Sequence, residues 1–314
     1  LVATFYFVML SVLWLACAMV SLVTPRWRVP AIYLGSGAVF LAARVYMDAS
    51  TLEAHTAALV VAVMLAVALA AEAFRGSHRR DTRTERVVLP RTPVLLHALA
   101  PHFAYGVVYF SFLFADRLSA GSALPAVSGL PFGITLDYKR GIDLAFLVFL
   151  LVAGAVECCN LWTMQAWRRD ATRLAVGAAE FGARLERRRT LSFILIAAGF
   201  AAMAMSAAGI ANRSDFLTYQ ASVTFAAGCV GYALFALGLL DGLLLFSFNR
   251  PAAVLRALLP ALLLNITVGY IFSHIAGPQY AVTGLVCGAA VFAIRARRAA
   301  NAALARPHFA YAWS

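Results

Sequence analysis

The sequence predicts an all-α polytopic membrane protein with about nine transmembrane helices. Of the 314 residues, 63% are hydrophobic and only 13% charged, against about 45–50% apolar and about 25% charged in soluble globular domains. The mean hydropathy is +0.82. Apolar runs of about 20 residues, enough to cross a hydrocarbon core of about 30 Å as a helix, recur along the whole chain, with basic residues gathered between them.

In chain order the runs cover roughly 2–24, 29–48, 53–74, 93–115, 141–166, 190–210, 217–247, 252–274 and 279–296. Pro25 and Pro30 separate the first two, Pro90 and Pro93 precede the fourth, Pro251 opens the eighth, and Gly277-Pro278 precedes the ninth. Proline removes a backbone donor and clashes with the preceding turn, so these positions mark breaks. The run 217–247 exceeds one span and predicts a tilted helix or an interfacial start.

Charge sets the expected orientation. Of the 26 Lys and Arg residues, 21 fall after the first, third, fifth, seventh and ninth runs. Arg44, Arg117, Lys139, Arg140 and Arg213 occupy the other side. The positive-inside rule places the larger group, and the C-terminus, in the cytoplasm. The same clustering in short loops argues against nucleic acid as the partner behind the net charge of +12. The first helix then enters from outside, yet its start, LVATFYFVML, carries no charge. That oddity leads to the expectation of a fragment, with further helices preceding Leu1.

Little suggests a metal, a disulfide framework or a cofactor. Cys17, Cys158, Cys159, Cys229 and Cys287 lie in apolar runs without CxxC spacing and read as small buried hydrophobes. His97 and His102, five apart beside Pro101, do not suit a helical metal pair. The chain has no GxxxxGK[ST] phosphate loop.

The informative residues are charged groups at membrane depth. Glu157, in AGAVECCNLW, lies about 16 Å from Arg168 at a rise of ~1.5 Å per residue. Asp241, in LGLLDGLLLF, lies about 13 Å from Arg250 by the same measure. A central charge costs at least about 2.5–3.5 kcal/mol to insert, so it faces a cavity or a partner. Glu157 either lines a substrate path or hydrogen-bonds to Asn160 on the next turn. Asp241 either lines the path or bonds across a helix contact made close by Gly238 and Gly242. Asn265, in LLLNITVGY, faces a neighbour or the cavity. Asp116, Arg117 and Asp143 sit near outer helix ends and read as a lobe-edge ion network or gate. Tyr105 and Tyr109 share one helix face, as do Phe110 and Phe114. They offer either a surface for sugar rings or lipid-facing or packed bulk.

Several stretches together carry a family likeness: FSFLFADRLSAG (110–121), DYKRGIDLAFLVFLL (137–151), AVECCNLW (155–162) and LLNITVGYIFSHIAGPQYAVTGLVCGA (263–289). They resemble the Pel exopolysaccharide inner-membrane transporters, of the multidrug/oligosaccharidyl-lipid/polysaccharide flippase superfamily. Ala155 departs from an expected arginine before Val-Glu, and Arg117 from an expected lysine. The resemblance implies two six-helix lobes joined by a cytoplasmic loop. The chain would hold the last half of the first lobe (1–74), a basic linker (75–92), a complete second lobe (93–298) and a cytoplasmic tail (299–314).

It also implies a non-enzymatic, multi-pass protein of the bacterial inner membrane that exports a biofilm polysaccharide through a cavity between the lobes. Glu157, Asp241, Asn160 and Asn265 would line the pathway or couple an ion. A cytoplasmic glycosyltransferase and other inner-membrane export components would be its partners, alongside membrane lipid. Alternatives are a lipid-linked oligosaccharide flippase or cation-coupled multidrug exporter of the same superfamily, a membrane-embedded enzyme acting on lipid-linked sugars, and an inactive fragment.

Overall fold

The computed structural model describes residues 28–47, 50–80, 92–125, 133, 135–171, 178–213 and 217–304, preceded by Val8, Met9, Val12, Leu13, Ala16, Cys17 and Val20. Most of the expected first span (2–24), most of the basic linker and the end of the tail lie outside the described residues. Among those residues the structure is helical throughout, without a strand. The helices are α1 (Arg28–Tyr46), α2 (Thr51–Arg80), α3 (Thr92–Ser122), α4 (Leu136–Ala171), α5 (Ala178–Arg213), α6 (Tyr219–Ser247), α7 (Pro251–Ile275) and α8 (Val282–Leu304), with a single 3-10 turn at Pro278–Ala281.

Six of the described helical segments are long and apolar enough to cross a membrane: Glu53–Glu72, Leu136–Gln165, Ala183–Arg213, Tyr219–Ser247, Pro251–Ile275 and Pro278–Leu304. The chain is thus a polytopic helical membrane protein, with six such helices among the described residues where about nine spans were expected over the whole sequence. In α1 the apolar part, Ala31–Tyr46, is shorter than a span. Several helices outrun the apolar runs that announced them. α2 continues to Arg80, α4 to Ala171, and α5 begins at Ala178. Hydropathy marks the lipid-facing part, whereas Ala, Glu, Leu and Arg prolong the backbone hydrogen bonding beyond it.

The chain divides into two compact units, Leu1–Leu89 and Pro90–Ser314. In the first, α1 packs on α2, and Ile32 is buried with Leu59, Ala62 and Ala66, together with Leu13, Ala16 and Cys17.

In the second unit α6 is the central helix, packed on α4 to one side and α8 to the other. α7 lies along α8, α3 along α7, and α5 along α4. Small residues set these seams. A Cβ on Gly284 would sit 2.2 Å from the Asn265 carbonyl oxygen, and one on Gly288 would sit 2.6 Å from that of Ala261. A Cβ on Gly141 would come 2.4 Å from the Ala221 carbonyl oxygen. Such approaches bring helix backbones into dispersion contact, the main attraction available where lipid is as apolar as the side chains. Between the seams, Phe112 stacks on Phe235 at 4.7 Å, and Phe149 on Tyr232 at 5.4 Å. Phe235 continues the stack to Phe292 at 5.3 Å.

Not all cysteines are buried as expected. Cys17 and Cys229 are, but Cys158 and Cys287 are exposed and Cys159 is half-buried. An exposed apolar position on a membrane helix faces lipid without penalty, so residue type alone does not report burial there.

Candidate functional site

The polar residues of the second unit occupy three stations. At the Ser122 end of α3, Arg117 clasps α4. Its Nη2 donates to Asp143 Oδ1 at 2.8 Å, and its Nη1 donates to the Leu113 carbonyl at 3.0 Å and Tyr232 Oη at 3.2 Å. The guanidinium lies 5.3 Å from the ring centres of both Phe114 and Phe146. Asp116, fully buried, accepts from Tyr138 Oη at 2.8 Å and stands 3.6 Å from Arg117 Nη1. Asp116, Arg117 and Asp143 therefore form one network joining α3, α4 and α6. Charge-assisted bonds of this kind are roughly twice as strong as neutral ones.

The second station is internal. Arg189 of α5 donates through Nε to Asp241 Oδ1 of α6 at 2.7 Å, with the two side chains only 2% and 1% exposed. Its Nη1 reaches Glu186 at 3.3 Å and also donates to Asn301 Oδ1 of α8. Asp241 thus has a cation as its partner, and Arg189 is buried. The pair ties α5 to α6, whereas Gly238 and Gly242, the glycines expected to make Asp241's contact close, abut Phe292 of α8 and Val254 of α7. A cavity of about 10 Å³ lies among Asn160, Thr163, Arg189 and Asp241, the scale of one water molecule. Asn265 is also internal. It is fully buried and donates through Nδ2 to the Phe112 carbonyl at 3.0 Å, bracing α7 against α3.

The third station faces outward. Glu157 is exposed in the middle of an apolar helix, within electrostatic reach of Tyr109 of α3. Tyr109 and Tyr105 lie side by side at 5.7 Å, resting on Phe235 and Phe246 of α6 at 5.6 Å and 4.6 Å. His102 extends the row along Phe246 at 5.7 Å. Asn160, one turn from Glu157, donates instead to Ser247 Oγ of α6 at 3.4 Å. α3 packs chiefly on α7 and α4 chiefly on α6, so this row of rings and one carboxylate lies along the edges of α3 and α4, floored by α6.

No family model, curated protein or solved structure matches the chain.

The structure separates the residues that sequence reasoning grouped as a pathway. Glu157 is at the surface, Asn160 lies at its edge, and Asp241 and Asn265 are in the interior. Sequence reasoning missed Arg189, Tyr138, Tyr232, Phe246 and Ser247. A signal for Arg189 was present: a buried carboxylate requires a cation, and Arg189 is the last basic residue before the apolar run LSFILIAAGF.

Proposed function

We propose that the chain is a transporter, and that the row formed by Tyr105, Tyr109 and Glu157 is one wall of its substrate path. One observation carries this reading: a carboxylate exposed at mid-depth of an apolar helix, near a pair of neighbouring tyrosines. A charge there is costly against lipid, so it meets water or a ligand. Tyrosine rings offer flat apolar faces with hydroxyl edges, a surface suited to sugar rings. A carboxylate among them favours a cationic or hydroxyl-rich cargo. Together with the resemblance of 110–121, 137–151 and 263–289, this supports export of an exopolysaccharide across the bacterial inner membrane, with the C-terminus and a polymerising glycosyltransferase on the cytoplasmic side.

The test is secretion by a bacterium expressing the full protein. Glu157→Gln should lower the surface polysaccharide at least about tenfold, equivalent to about 1.4 kcal/mol on the passage step, while leaving the amount of protein in the membrane unchanged. Wild-type secretion by Glu157→Gln would overturn the assignment. Loss of efflux of a soluble organic cation, with secretion intact, would favour a drug exporter instead.

A further inference from the structure

At the opposite end of the second unit from the Arg117 network, α6 stops in a defined way. Asn249 adopts φ 56°, and the Arg250 and Asn249 amides donate back to the Leu245 and Phe246 carbonyls at 2.9 Å each. This left-handed cap is the Schellman arrangement, followed as usual by a proline, Pro251. The reversal sets Arg250 beside the first turns of α7 and the last turns of α8. A cavity of about 620 Å³ opens there, lined by Arg250, Arg256 and Arg295 over a floor of Ala252, Ala253, Ala299 and Ala302. Arg256 Nε donates to the Ala252 carbonyl at 3.3 Å, and Arg295 Nη2 to the Arg256 carbonyl at 3.4 Å. Each guanidinium has five donors, so both forks are braced by one bond while others stay available. Among the described residues no carboxylate lines this cavity.

Below the cavity the surface is apolar. Leu259, Leu263, Ile266 and Tyr270 follow Arg256 along one side of α7, each about half exposed. From Arg256 to Tyr270 is about 21 Å at ~1.5 Å per residue, somewhat more than one leaflet of a hydrocarbon core about 30 Å thick. Three cationic forks at one end of a leaflet-length apolar ridge make a head-and-tail template. Arg forks match phosphate oxygens in pairs, and basic pockets between helix ends hold anionic lipid head groups.

We propose that this cavity binds the phosphate of an anionic phospholipid, with the acyl chains lying along α7. The full protein, purified in detergent, would be mixed with dioleoyl-phosphatidylglycerol or dioleoyl-phosphatidylcholine and its bound lipid counted by native mass spectrometry. The phosphatidylglycerol adduct should dominate. Arg256→Gln should reduce it about fivefold and Arg256→Gln with Arg295→Gln about twenty-five-fold, at about 1 kcal/mol per arginine. Arg213→Gln, at the other end of the bundle, should leave it unchanged, and melting temperatures should report folded variants throughout. Equal binding of the two lipids, or no loss in the double variant, would overturn the site. Arginine-dependent binding of inorganic pyrophosphate that displaces the lipid would assign the cavity to a soluble phosphate instead and overturn the lipid assignment.

Discussion

Arg189 and Asp241 face one another at 2.7 Å with almost no solvent exposure, so bulk water does not replace either partner. Breaking such a pair leaves an uncompensated buried charge, which costs about 3–5 kcal/mol. Arg189→Gln should therefore lower the melting temperature of the detergent-purified protein sharply, and Asp241→Leu less, because Arg189 keeps Glu186 at 3.3 Å. Replacing both at once, Arg189→Leu with Asp241→Leu, should recover most of that loss, because a well-packed apolar pair is often as stable as the ions it replaces. If the double variant melts as low as the single ones, the interaction with Asn301 rather than the ion pair dominates. The depth of Asp241 was legible from its distance to Arg250 along the helix. Its partner was not, because 52 residues separate them and a run of arginines before an apolar stretch reads first as a topology signal. Glu157 shows the converse. Hydropathy placed it at mid-membrane, but whether it turned inward to Asn160 or outward to Tyr109 depends on the rotation of α4, which packing on α6 decides.

At the scale of helices, the seams rest on close backbone approach. Gly284→Ala would put a carbon 2.2 Å from the Asn265 carbonyl oxygen, forcing α8 off α7, and should cost about 1–3 kcal/mol as an overpacked contact. Gly154→Ala, with nothing within 4 Å of the added carbon, should be neutral or slightly stabilising, since alanine is the better helix former. Melting curves of the two variants separate seam from surface glycines; equal effects would mean that the α7–α8 approach relaxes freely. The turn at Asn249 offers a second check. Its positive φ suits Asn or Gly, so Asn249→Gly should be tolerated and Asn249→Val should cost about 1–2 kcal/mol. Helix existence was readable from apolar runs and proline breaks. Helix ends were not, because Ala, Arg and Glu in segments such as AAEFGARLERRR continue a helix without any change in hydropathy to mark it.

For the molecule as a whole, the all-helical, multi-pass character followed directly from composition, since no soluble core accommodates so much apolar surface. The order of packing, with α6 central and α4 and α8 flanking it, follows from seams between residues distant in sequence and has no local signature. That arrangement leaves Glu157 exposed and Tyr105 and Tyr109 half-buried against the core of the unit, and transport along this row is the central claim. Aqueous access at Glu157 tests it most directly. In a background with the five native cysteines replaced by alanine, Glu157→Cys, Tyr109→Cys and Leu151→Cys would each be exposed to a membrane-impermeant, charged thiol reagent. Leu151 is 55% exposed on the same helix, about 120° round from Glu157 at 3.6 residues per turn. Positions 157 and 109 should label within minutes while position 151 stays unreactive. Equal protection of 157 and 151 would place Glu157 against lipid or protein and contradict the account.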